Sequence, residues 1–119
     1  MSQTGVDEDV LAAVARFSAA FERHDVEAIM AAMTPDCVFE STAPPDGVRH
    51  VGQNAVRAAW VEFFRASGAA RFETEDQLCC GDHVVVRWRY SWDGGHVRGV
   101  DLFRVSDGLV AEKLCYVKG

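Results

Sequence analysis

The strongest constraint on this chain is its second half, where four strand-length runs, 70–80 (ARFETEDQLCC), 83–92 (HVVVRWRYSW), 96–105 (HVRGVDLFRV) and 109–117 (LVAEKLCYV), follow one another with only turn signals between them. Gly81-Asp82, Asp93-Gly94-Gly95 and Ser106-Asp107-Gly108 are too short for a crossover connection, so successive strands are antiparallel neighbours. Such a sheet must cover one face, and the first half supplies helices for that purpose. Val10, Val14, Phe17 and Phe21 recur at spacings of four and three and fall on one face of a helix ending near Arg23. Asp25 can cap a second, short helix over 26–33, which Pro35 ends. A strand over 37–42 places Cys37, Phe39 and Ser41 on one side before the prolines of "APPDG" break it. Residues 54–67 read as a third helix, with Val56, Trp60, Phe63 and Phe64 on one face and Gly68 at its end. The expected fold class is α+β: helices packed on the concave face of a curved, mostly antiparallel sheet, together enclosing a cone.

Length and charge narrow what such a cone can serve. The 119 residues suffice for one domain, 1–119, with residues 1–8 expected as a flexible N-terminal tail. Net charge is −6 and Lys and Arg are scattered without a basic run, which argues against nucleic acid as a partner. The start is acidic and polar where a signal peptide would be basic and then apolar, and no long apolar run offers a membrane span, so a cytoplasmic location is expected. Cys37, Cys79, Cys80 and Cys115 have no C-x-x-C spacing and read as small buried hydrophobes of a reducing compartment. His24, His50, His83 and His96 match no metal-ligand pattern, and neither a phosphate-binding glycine loop nor a G-x-S-x-G nucleophile motif occurs.

One residue breaks the apolar pattern. Asp101 stands among Val100, Leu102 and Phe103, where a strand interior favours Val or Ile and an unpaired carboxylate is costly. Alternation puts Val84, Val86, Trp88, Tyr90 and Trp92 on one face of their strand, and Asp101 with Phe103 on one face of the next, while Arg98 and Arg104 point the other way. If that face is concave, Asp101 is a pocket acid, suited to general acid/base work or to hydrogen-bonding a carbonyl. A three-residue loop at Ser106 to Gly108 would set Lys113 across from it, and a two-residue loop Leu114; paired with Lys113 the carboxyl is charged, alone among aromatics it is a neutral donor. Phe17, Phe39, Ser41, Trp60, Trp88, Trp92, Phe103 and Lys113 are the candidate substrate-binding residues, Tyr90 a candidate hydrogen-bond donor at the catalytic site, and His96 a candidate group at the cone mouth, although its parity faces away from Asp101.

The stretches "VARFSAAFERHDVEAIMAAMTPDCVFE", "VGQNAVRAAWVEFF" and "VRGVDLFRVSDGLVAEKLCYV" resemble the SnoaL-like and ketosteroid-isomerase-like members of the nuclear-transport-factor-2-like superfamily, over nearly the whole chain. That resemblance implies a cone with a deep apolar pocket, a homodimer formed through the outer sheet face, and no metal or organic cofactor. It places Asp101 at the position of the isomerases' oxyanion-hole acid, with Phe17 and Ser41 where those enzymes carry a tyrosine and an aspartate base. In the SnoaL-type cyclases an aspartate in the same D-x-x-R context, here Asp101 and Arg104, is the acid/base of an intramolecular aldol closure. Two functions are thereby expected: an isomerase or polyketide-cyclase-like enzyme acting on an apolar carbonyl compound, or a non-catalytic ligand-binding or dimerisation module of the same fold.

Overall fold

In the computed structural model, residues 2–119 form nine elements, with side chains described from residue 7 onward. In chain order they are α1 (Ser2–Glu22), α2 (Val26–Ala31), β1 (Met33–Glu40), β2 (Arg49–Val51), α3 (Gln53–Ser67), β3 (Arg71–Cys80), β4 (His83–Trp92), β5 (Gly95–Ser106) and β6 (Leu109–Val117). The expected tail falls largely outside the described side chains; Asp7 and Glu8 belong to α1. Three helices pack against one curled sheet of six strands, ordered β2-β1-β6-β5-β4-β3, in which only β1 and β6 run parallel. The meander from β3 to β6 is as its turn residues require. No described helix is long and apolar enough to cross a membrane.

The apolar stripes do the packing. Val10, Val14 and Phe17 of α1, Ile29 and Met30 of α2, and Val56 and Trp60 of α3 are buried against Val84, Val86, Phe103 and Val105 of the sheet. Two polar groups fix where the helices sit. Arg16 Nη2 donates to the Gly108 carbonyl (2.5 Å), tying α1 to the turn between β5 and β6. Asp25 caps α2, its carboxylate accepting from the Ala28 N–H (3.1 Å).

Helix α2 stops two residues earlier than periodicity indicates, because tertiary hydrogen bonds claim its end. The Ala32 carbonyl accepts from the Val110 N–H (2.8 Å), and the Gln53 side-chain amide lies against the carbonyls of Met30 (3.2 Å), Met33 (3.3 Å) and Thr34 (3.0 Å). Chain that reads as helix is thus drawn onto the sheet as the start of β1. Pro35 is tolerated there because it falls between Met33 and Val38, where the register with β6 shifts and no ladder N–H is needed. Strand β2, which the sequence reads as loop around His50, pairs only three residues with β1 and is too short to show a period.

The hairpin of β5 and β6 takes neither of the two registers expected for it. Asp107 and Gly108 both have positive φ (52° and 77°), making a two-residue turn that pairs Ser106 with Leu109. The register then shifts: Val105 faces Val110 but Arg104 faces Glu112, leaving Ala111 as an extra, buried residue of β6. Asp101 therefore stands opposite Cys115 rather than Lys113 or Leu114. The bulge restores the parity of a three-residue loop, so Lys113 and Cys115 both project from the concave face, as Asp101 does. Deleting Ala111 would turn both outward, and that variant is expected to give no cooperative unfolding transition by circular dichroism. Ala111→Ser, which keeps the register, is expected to melt cooperatively with a loss below about 3 kcal/mol.

Candidate functional site

Strands β4, β5 and β6 bring their concave residues together beneath α1 and α3, around a cavity of about 460 Å³. Its walls are largely aromatic: Trp88, Tyr90 and Trp92 from β4, Phe39 from β1, and Trp60 from α3 all line it. Phe17 and Phe103, both buried, pack ring edge to face (centroids 5.4 Å) and close the floor. Ser41 lies at the rim, where its Oγ accepts from the N–H groups of Val48 (3.0 Å) and Ala43 (3.4 Å) and so shapes the adjoining loop.

At the floor stands one buried carboxylate beside one buried ammonium. Asp101 is 8% exposed and Lys113 7%, with Lys113 Nζ 3.3 Å from Asp101 Oδ2. Phe103 is the residue directly opposite Lys113; the ion pair is diagonal across the two strands, within reach of a lysine side chain. The Trp88 indole N–H donates to Asp101 Oδ1 (2.9 Å), so each carboxylate oxygen has its own donor. Lys113 also donates to Cys115 Sγ (2.9 Å). The rings of Phe39, Trp60, Phe21 and Phe103 surround its ammonium, with centroids 5.3, 5.4, 5.5 and 5.9 Å away.

Burial by itself would lower the Lys113 amine. The Asp101 carboxylate, together with Cys115, outweighs that effect and holds the amine above its ordinary value. Burial pushes the Cys115 thiol up to about 12 against the opposing pull of the ammonium, so near neutrality the sulfur is a thiol and not a nucleophilic thiolate. Of the two arrangements considered for Asp101, paired with Lys113 or alone among aromatics, the pairing is the one present.

Other candidates fall at different distances from this centre. Tyr90 shares the cavity wall, its ring against Phe72 (4.4 Å). Trp92, half exposed, stands at the mouth. His96 does not join them: it pairs with Ser91 on the convex face, its Nδ1 3.3 Å from Arg89 Nη2. Three participants escape a reading of the sequence. Cys115 looks like any small buried residue until the hairpin bulge sets it beside Lys113. Phe72 is hidden in the polar run of β3, whose own bulge between Thr74 and Asp76 breaks the alternation. Phe21 continues the α1 stripe, and nothing in its spacing separates a cavity wall from a core contact. Among the described residues, no group of three His, Cys, Asp or Glu side chains is placed to hold a metal ion.

With this geometry in view, comparison with known proteins is informative. Residues 14–113 match the model of the SnoaL-like domain. A nuclear-transport-factor-2-like protein of unknown function from Mesorhizobium loti is 39% identical over 95% of this chain and 93% of its own, with a TM-score of 0.84. A candidate polyketide cyclase from Sinorhizobium meliloti is 27% identical over 87% of this chain and 92% of its own (TM-score 0.75). A candidate ketosteroid isomerase from Kribbella flavida shares the fold at 18% identity, over 95% of this chain and 80% of its own (TM-score 0.83). No curated protein gives a significant sequence match.

The buried pair has a stability signature. Lys113→Met leaves the Asp101 carboxylate buried with only Trp88 as donor and is expected to cost about 3–5 kcal/mol in urea denaturation, most of which Asp101→Leu/Lys113→Met recovers. Because the folded-state amine lies above its ordinary 10.5, its contribution is fully present below that pH and is lost as pH rises through the folded value. The gap between wild type and Lys113→Met is therefore expected to stay flat from about pH 7 to about pH 10.

Proposed function

Because the chain belongs to the SnoaL-like domain family and its cavity floor holds one carboxylate beside one ammonium, we propose that it is a small-molecule enzyme, an acid/base isomerase or aldol-type cyclase acting on an apolar carbonyl compound. The observation that carries this reading is the buried Asp101–Lys113 pair, set among aromatic rings. Cyclase and isomerase are also the two activities named for the Sinorhizobium and Kribbella structures.

In the proposed reaction the substrate carbonyl oxygen accepts a hydrogen bond from Lys113, and the Asp101 carboxylate takes a proton from the adjacent carbon. The C–H electron pair moves into the enolate, whose developing charge is stabilised by the ammonium. An isomerase returns that proton at a different carbon. A cyclase lets the enolate carbon attack a second carbonyl of the same molecule, and protonated Asp101 returns the proton to the new alkoxide. Tyr90 brings a phenol to the same wall as a further donor to substrate oxygens.

In this reading the Asp101–Lys113 pair stands in for the groups that Phe17 and Ser41 lack. A chain lacking the isomerases' tyrosine and aspartate base at those positions still needs a base and an oxyanion donor, and Asp101 and Lys113 take both roles from neighbouring strands. Against a panel of apolar ketones and diketones, Asp101→Asn is expected to lower kcat/KM by about 10²–10⁴-fold, and Lys113→Met to lower it comparably. The second reading, a non-catalytic ligand-binding module, is favoured by the internal partners that both Asp101 oxygens already have. It requires that wild type bind such ligands without converting them, and that Asp101→Asn bind them equally well.

We further propose that the protein is a homodimer joined through the convex sheet face. Leu78, Val85, Leu102 and Leu114 stand opposite one another in one row across β3, β4, β5 and β6, and Leu78 is 67% exposed. Arg104 and Glu112, ion-paired at 3.2 Å, flank the row. Leu102→Glu is expected to halve the sedimentation mass; a wild type that sediments as a monomer contradicts this interface.

A further inference from the structure

Gly99 lies in the interior of β5, where a residue without a side chain weakens a strand and calls for a reason. It faces Trp88 across the ladder to β4 and Val117 across the ladder to β6. The reason is space. A Cβ built on Gly99 would lie 2.7 Å from Cη2 of the Trp88 indole, and closer still to its Cζ2 and to the Tyr116 carbonyl oxygen. Even alanine would collide with the indole and with the backbone of β6.

The six-membered ring of Trp88 occupies that vacated space. Phe72 holds the indole from another direction, with ring centroids 5.1 Å apart and planes at 79°. Trp88 is 6% exposed, so it has little freedom to sit elsewhere. In this seat its N–H reaches Asp101 Oδ1 at 2.9 Å while Lys113 holds Oδ2 at 3.3 Å. A carboxylate gripped at one oxygen only can rotate about its Cβ–Cγ bond; gripped at both, it presents one fixed plane to the cavity.

We propose that Gly99 is a positioning residue for the catalytic base: by leaving room for the Trp88 indole, it fixes the plane of the Asp101 carboxylate relative to a bound carbonyl compound. The inference rests on the reading of Asp101 as base and adds a determinant to it. Gly99 does not line the cavity, and it reaches Asp101 through Trp88; its close approach to the Tyr116 carbonyl concerns the packing of β6. Misplacing a reacting group by about 1 Å costs up to about a hundredfold in rate, so the effect belongs in kcat and not in binding.

The test uses the full chain, the carbonyl compound that wild type converts best, and the indole N–H resonances in ¹⁵N-labelled protein. In wild type the Trp88 indole proton is expected to exchange slowly with solvent. In Gly99→Ala that exchange is expected to quicken by at least about tenfold, and kcat to fall by about ten- to a hundredfold with KM within about threefold of wild type. Trp88→Phe, which removes the N–H without touching Gly99, is expected to lose the same factor in kcat and carries the test if Gly99→Ala does not fold. In Gly99→Ala/Trp88→Phe the clash with the indole is gone and that with the Tyr116 carbonyl remains, so part of the stability lost in Gly99→Ala is expected to return while kcat stays low, a split that a purely structural role would not produce. A slow-exchanging Trp88 proton in folded Gly99→Ala, or wild-type kcat in Trp88→Phe, overturns the proposal. A wild type that converts none of the panel overturns the base reading and the catalytic half of this inference with it, whereas the indole resonance decides the seating independently.

Discussion

The Asp101–Lys113 ion pair is the interaction on which the rest of this structure turns. Two opposite charges taken out of water are tolerated only where their remaining hydrogen-bonding capacity is met, and the surroundings meet it: the Trp88 N–H on one carboxylate oxygen, Lys113 on the other, and Cys115 and four aromatic faces about the ammonium. Those requirements explain features that otherwise look unrelated. The bulge at Ala111 is needed because a regular two-residue hairpin would turn Lys113 to the convex face. Gly99 leaves room for the indole that donates to Asp101 and for the Tyr116 carbonyl. Phe21, Phe39 and Trp60 both line the cavity and face the ammonium.

A buried ion pair of this kind is poor evidence for stability and better evidence for function, since well-packed apolar residues would serve a core as well. The charges also complement each other chemically. In the proposed reaction Asp101 is the base, and Lys113, held above its ordinary value by that carboxylate, is a charged donor that persists through neutral pH. Enolate chemistry needs both within one small, water-poor volume. A cavity of about 460 Å³ lined by Trp88, Tyr90, Trp92, Phe39 and Trp60 holds both in one small, largely aromatic volume.

Much of this was legible in the residues alone, and what was not has physical causes. The strand alternation of β4 and β5 placed Asp101, Phe103, Trp88 and Tyr90 on the concave face because both strands pair without irregularity through that stretch. The α1 stripe and the Asp25 cap were readable because both are local. Lys113 was legible as one candidate partner of Asp101, but the register was not: turn chemistry offered two, and the adopted one depends on a bulge that only packing selects. The start of β1 was masked by helix-favouring residues that tertiary hydrogen bonds from Gln53 and Val110 override. His96 shows the converse, its parity having already indicated the convex face on which it lies.

The central claim, that Asp101 takes a proton from a carbon beside a carbonyl group held by Lys113, is tested most directly by hydrogen exchange at that carbon. An apolar ketone that fits the cavity is incubated with wild-type protein in D₂O and followed by proton NMR. The account requires saturable, site-selective loss of the α-proton signal, with deuterium entering at a rate well above the buffer reaction. A ketone that binds, shown by line broadening or by shifted indole resonances, yet keeps its α-protons at the buffer rate would contradict it.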